Sequence, residues 1–84
     1  MNVRYTRQAL KALIRMQPAK AKAIHARIHQ VAGDNTTGLD IVPMQGRHVI
    51  FRLRAGDYRV IYEINEQAMT LIVIRIGARG DVYK

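Results

Sequence analysis

Residues 1–84 read as a single α+β domain in the order β-α-α-β-β-β, with an N-terminal α-helical hairpin packed on one face of a small antiparallel β-sheet. Three observations carry that reading. From Arg47 to Ile64, the stretch RHVIFRLRAGDYRVIYEI alternates in character on either side of Ala55-Gly56-Asp57, the period-two signature of a hairpin. Between Thr6 and Gly33 the apolar residues instead recur at helical spacing. Met69 to Ile76, MTLIVIRI, is a near-continuous apolar run of the kind that forms a well-buried strand.

Taken in order, Asn2 to Tyr5 is a short apolar–polar alternation suited to an edge or bordering strand. Thr6 is placed to cap a first helix, in which Ala9, Leu10, Leu13 and Ile14 make the apolar stripe and Arg7, Lys11 and Arg15 the solvated side. Met16-Gln17 breaks the pattern, and Pro18 suits the first turn of a second helix. There Ala21, Ile24, Ile28 and Val31 share one side, while Lys20, Lys22 and Arg27 face out. Gly33 is expected to end this helix in the left-handed conformation, and the short link predicts an antiparallel helix pair. Residues 34–47 contain Gly38, Pro43 and Gly46 without a period and read as a loop, pinned down by Leu39, Ile41, Val42 and Met44. Asn65-Glu66-Gln67 turns the chain out of the hairpin, and Gly77 to Gly80 ends the last strand.

Regular alternation in the last strand would put Thr70, Ile72, Ile74 and Ile76 on the helix side with Tyr58, Val60 and Tyr62. It would leave His48, Ile50, Arg52, Arg54, Arg59, Ile61, Glu63, Leu71, Val73 and Arg75 on the open side. Three arginines of the hairpin, Arg52, Arg54 and Arg59, then gather on one sheet face. The chain as a whole carries 14 Lys+Arg against 6 Asp+Glu, a formal charge of +8. Such a balance points to nucleic acid, an acidic protein or an anionic membrane surface. With 49% hydrophobic residues the chain is a folded domain and not a disordered basic tail.

The absence of cysteine excludes disulfides and Cys-based zinc sites and fits a reducing compartment. No apolar run approaches the roughly 18 residues needed to cross a bilayer. The start, MNVRYTRQAL, has no apolar core of a signal peptide. The expected location is cytoplasmic, with no membrane partner.

The run RLRAGDYRVIYEI, followed by IRIGARGDVY, resembles the RelE toxins of the RelE/ParE toxin–antitoxin superfamily. The shared pattern is L-R-x-G-x-Y-R-V-I-Y in the hairpin and I-G-x-R-x-x-V-Y near the end, and the helical hairpin in front agrees as well. The resemblance implies a RelE-like fold and a toxin of a type II toxin–antitoxin pair. It further implies a ribosome-dependent mRNA endonuclease that cuts mRNA in the A site of the 30S subunit, against 16S rRNA. A cognate antitoxin would neutralise it, and operator DNA would be met only through the antitoxin complex. The sister ParE branch inhibits DNA gyrase, and a non-toxic corepressor is a further alternative. By the same resemblance Arg59, Arg79 and Tyr83 match positions used in cleavage, and Arg52 or Arg54 matches basic strand positions.

Cleavage of RNA by its own 2′-hydroxyl needs a proton acceptor, stabilisation of a crowded anionic phosphorane, and a proton for the departing 5′ oxygen. Arg59 and Arg79 suit the second task, because a planar guanidinium contacts two phosphate oxygens at once. Tyr83 suits proton donation or stacking on a displaced base. Arg52 keeps its proton at physiological pH and is a poor base. His48 falls on the face of Arg52 and Arg54 by alternation; it is either a base or a polar residue at a strand entrance, and the second reading weighs more. Arg47, Arg54, Lys20 and Lys22 are expected to track RNA phosphates, the two lysines doubling as an ordinary solvated helix face. His25 and His29 stand four apart on a helix, a spacing that suits a metal, but no third ligand accompanies them. No metal and no cofactor is expected.

Overall fold

The computed structural model describes residues 1–44 and 49–78. Its elements are β1 (Asn2–Tyr5), α1 (Arg7–Arg15), α2 (Pro18–Ala32), β2 (Asp40–Pro43), β3 (Ile50–Ala55), β4 (Tyr58–Asn65) and β5 (Thr70–Ala78). The strands form one sheet in the order β1-β5-β4-β3-β2. β1 runs parallel to β5, and the other neighbours are antiparallel. The sheet is therefore mixed, because the helical hairpin carries the chain across the sheet face after β1.

The segment expected to be a loop holds a further strand. Ile41 sits opposite Leu53 and Val42 opposite Arg52, so β2 extends the sheet at its edge. Pro43 is tolerated there because an edge strand has one side without ladder bonds.

Thr6 caps α1 as its position suggests: its hydroxyl accepts from the Ala9 N–H at 3.3 Å and donates to the Ile74 carbonyl. The stripe of α1 is rotated from the expected one. Ala9 is fully buried with Ala12, Leu13 and Met16 packed behind it, whereas Leu10 is 46% and Ile14 80% exposed. On α2 the expected stripe holds, with Ile24, Ile28 and Val31 buried. Its end differs by one residue. Gly33 has φ −86°, and Asp34 takes the left-handed conformation at φ 64°. Asp tolerates that region better than most residues.

The largest correction concerns β5. Tyr62 pairs with Val73 but Ile61 pairs with Arg75, so a β-bulge leaves Ile74 as an extra residue between them. Parity flips at that point. Leu71 and Val73 lie in the core together with Ile76, and Ile72 goes to the open face instead. The core thus joins Ile24 and Ile28 of α2 to Leu53, Val60, Leu71, Val73 and Ile76 of the sheet. Burying each such side chain contributes about 1.5–3 kcal/mol. Among the described residues no helix is long and apolar enough to cross a membrane.

Candidate nucleic-acid interface

The hairpin of β3 and β4 closes through Gly56 and Asp57, with Ala55 opposite Tyr58. Gly56 has φ +62° and Asp57 does not enter the positive region. A two-residue turn with glycine alone at positive φ matches the twist of the strands it joins and fixes their register. That register decides what the open face presents. Arg54 stands directly opposite Arg59, and Arg52 opposite Ile61, one row further from the turn. Across β5, Arg59 faces Gly77 and Ile61 faces Arg75. Arg52, Arg54, Arg59 and Arg75 therefore share two adjacent rows of one sheet face, the face away from both helices.

Arg52 and Arg59 are half-buried, while Arg54 and Arg75 are exposed. Directly opposed like charges on a sheet destabilise it. Gly77 adds no side chain beside Arg59. Asp40 of β2 stands beside Arg54 at the sheet edge. Sequence reasoning missed Asp40 because its strand was taken for a loop. Arg75 stands on the open side as alternation implies; what the bulge changes is the side taken by Leu71, Ile72 and Val73.

Lys20 lies at the same end of the molecule but on the helix side. Its Nζ stands 5.9 Å from the centroid of the Tyr58 ring, and it lines a cleft of about 180 Å³ with Arg27, Gly56 and Tyr58. Lys22 is exposed on α2. The two lysines thus do not join the arginine rows. Arg47, His48, Arg79 and Tyr83 lie outside the described residues. Tyr62 is a core residue as expected, and burial pushes its hydroxyl up to about 12. It keeps its proton throughout the physiological range. The rings of His25 and His29 are 4.2 Å apart, and among the described residues no three His, Asp or Glu side chains come together as a metal would need.

The family model of the ParE toxin of type II toxin–antitoxin systems matches residues 3–83. The chain belongs to that family. The toxin is similar to Toxin RelG of Mycobacterium tuberculosis, 35% identical over 34 residues, a stretch covering 40% of this chain and 39% of that protein. It also resembles the RelE–RelB complex of Pyrococcus horikoshii, at 25% identity and TM-score 0.76, over 95% of this chain and 96% of that one. The RelB–RelE antitoxin–toxin complex of Methanococcus jannaschii is similar at 26% identity and TM-score 0.77, covering 96% and 95%. The toxin is thus a member of the RelE/ParE superfamily, with two helices on a five-stranded sheet as in those RelE structures.

Proposed function

We propose that the toxin is a ribosome-dependent mRNA endonuclease of RelE type, kept inactive by a cognate antitoxin. The observation that carries this reading is Arg54 directly opposite Arg59, with Arg52 in the next row, on the face away from α1 and α2. The RelE proteins of P. horikoshii and M. jannaschii, similar to this chain over nearly its whole length, are found with RelB antitoxins.

In this mechanism the 2′-oxygen attacks the adjacent phosphorus as its proton passes to a water molecule, and the bond from phosphorus to the 5′ oxygen breaks. Arg54 and Arg59 hold the non-bridging oxygens while negative charge builds on the phosphorane. Arg79 adds a third guanidinium, and Tyr83 donates to the departing 5′ oxygen or stacks on the displaced base. Arg52 anchors the neighbouring phosphate, with Arg47 and His48 at the entrance of the strand. Lys20 and Lys22 are placed to meet ribosomal RNA rather than the scissile phosphate. The ribosome supplies the strained mRNA conformation that these residues do not impose alone, so free RNA is cut poorly.

Mapping mRNA 5′ ends by primer extension after controlled expression tests this, beside Arg59→Ala and Arg79→Ala. Cuts confined to translated frames in the wild type, and lost in both variants, are the expected result. Growth arrest without new 5′ ends would sink the nuclease reading. One observation favours a second reading, inhibition of DNA gyrase: the matching family model is that of ParE toxins. Under it, alanine at Arg52, Arg54 and Arg59 leaves toxicity intact.

A further inference from the structure

Two of the three histidines of the chain, His25 and His29, stand on α2, on the helix side of the sheet and away from the arginine rows. Both are exposed. Residues four apart on a helix have their Cβ atoms about 5–6 Å apart, which brings the side chains within reach but does not turn them together. Here the rings do turn together, with centroids 4.2 Å apart and an interplanar angle of 41°. Among the described residues neither ring makes a hydrogen bond that would hold it elsewhere. The helix positions three and four residues beyond His25 and His29 on the exposed side are Ala21, Lys22, Ala26, Ala32 and Gly33. Lys22 is the one long side chain among them, so the space around the pair is open. The backbone beneath is fixed, because Ile24, Ile28 and Val31 anchor the same turns in the core.

The spacing of the rings discriminates between ions. An imidazole nitrogen binds a transition ion at about 2.0–2.1 Å, which puts each ring centre about 3.2 Å from the metal. Two rings at right angles about one ion then have centres about 4.5 Å apart, against about 5.2 Å at the tetrahedral angle. The observed 4.2 Å lies nearer the first value. Right-angled ligands belong to the tetragonal sites of Cu(II) and Ni(II), and tetrahedral ones to Zn(II). Among the described residues no carboxylate joins the pair, so a closed zinc centre of four protein ligands is not built here. Tetragonal ions need less: once one imidazole binds, the second is already beside the ion and adds as an intramolecular step.

We infer that His25 and His29 form a chelating site for a divalent transition cation, Cu(II) and Ni(II) ahead of Zn(II), with water in the remaining positions. The ion exchanges with solution and is not a resident cofactor. Bound, it ties two successive turns of α2 together through their side chains and so stabilises the helix that carries Ile24 and Ile28 into the core. The inference rests on α2 alone and holds whichever target the toxin attacks.

Isothermal titration of the full chain with CuCl₂, NiCl₂ and ZnCl₂ tests it, beside His25→Ala, His29→Ala and His48→Ala. One ion per chain, bound most tightly for Cu(II), is expected. His25→Ala and His29→Ala should each weaken Ni(II) binding by about tenfold or more, and His48→Ala should leave it unchanged. Ni(II) at about ten times its Kd should raise the Tm of the wild type by at least about 5 °C and that of the two helix variants by much less. Both positions are exposed, so the alanine variants keep the fold and the comparison stays direct. Wild-type affinity in either helix variant, binding lost with His48→Ala, or Zn(II) as the tightest ion would overturn the inference. So would a Tm that Ni(II) leaves unmoved, or an ion shared between two chains in sedimentation.

Discussion

The side-chain amide of Gln8 pairs with both main-chain groups of Ile76. Its Oε1 accepts from the Ile76 N–H at 3.1 Å, and its Nε2 donates to the Ile76 carbonyl at 3.2 Å. β1 pairs with β5 only as far as Tyr5 and Val73, and the Thr6 N–H then donates to the Val73 carbonyl at 3.0 Å. Beyond that point β5 has no strand on this side among the described residues. Thr6 and Gln8, already in the helical turn, take over the carbonyl of Ile74 and both groups of Ile76. A side chain thus stands in for a strand residue, and it does so at the bulge that sets which residues of β5 face the core.

Gln8→Ala should therefore cost more than a surface substitution. It strips two partners from a backbone position whose side chain is buried, and an unsatisfied buried group costs about 1–3 kcal/mol. Chemical denaturation should show a loss of that order, and Gln8→Glu an intermediate one. A carboxylate still accepts from the Ile76 N–H but cannot donate to its carbonyl. Equal stability for Gln8→Ala and wild type would mean that water replaces the amide without loss.

Gly56 isolates a backbone effect. A Cβ added there meets nothing within 4 Å, so the space is open and only the φ of +62° resists a side chain. Gly56→Val should destabilise the fold by about 1–2 kcal/mol, the cost of a left-handed conformation for a residue with a Cβ. It should also loosen the register that opposes Arg54 to Arg59. Circular dichroism melts against Asp57→Val, the neighbouring turn position outside the positive region, give the comparison.

The helix α2, the hairpin and the arginine face were legible because each repeats its period over several residues. What was lost has a common physical cause. Leu71 to Ile74 is apolar on both faces, so no alternation could reveal the bulge that sends Leu71 and Val73 into the core. β2 is only four residues long, and its strand character comes from Leu53 and Arg52 across the ladder, not from its own sequence. Leu10 and Ile14 match a helical stripe as well as Ala9, Ala12 and Leu13 do, so periodicity alone could not choose between the two sides. Of the site, Arg52, Arg54 and Arg59 came together as the alternation implies. The lysines of α2 did not, since the sheet stands between them and the open face.

Tyr62 predicts a pH dependence of stability. Burial raises its hydroxyl from 10.0 to about 12, so the folded state holds the proton more tightly than the unfolded chain. The sign follows from linkage: this contribution is complete below about pH 10 and is lost as pH rises through about 12. Urea midpoints measured at increasing alkalinity should fall more steeply for the wild type than for Tyr62→Phe. Parallel curves would place the phenolate in contact with solvent.

Arg54 and Arg59 predict a trade between stability and binding. Directly opposed like charges cost the sheet roughly 0.2–1 kcal/mol. Arg54 is exposed, so removing it creates no cavity. Arg54→Ala should therefore leave the fold as stable as the wild type or more so, with the gain largest at low salt, where screening is weakest. On the proposed function the same substitution removes one phosphate contact. Affinity for a single-stranded RNA oligonucleotide should fall, and the slope of log K against log salt should drop by about 0.7. The paired measurement is what discriminates. A residue kept only for structure would lose stability when removed, and a solvated charge without a partner would change neither quantity. A stability gain together with a shallower salt slope identifies Arg54 and Arg59 as a pair held against their own repulsion for a phosphate to relieve.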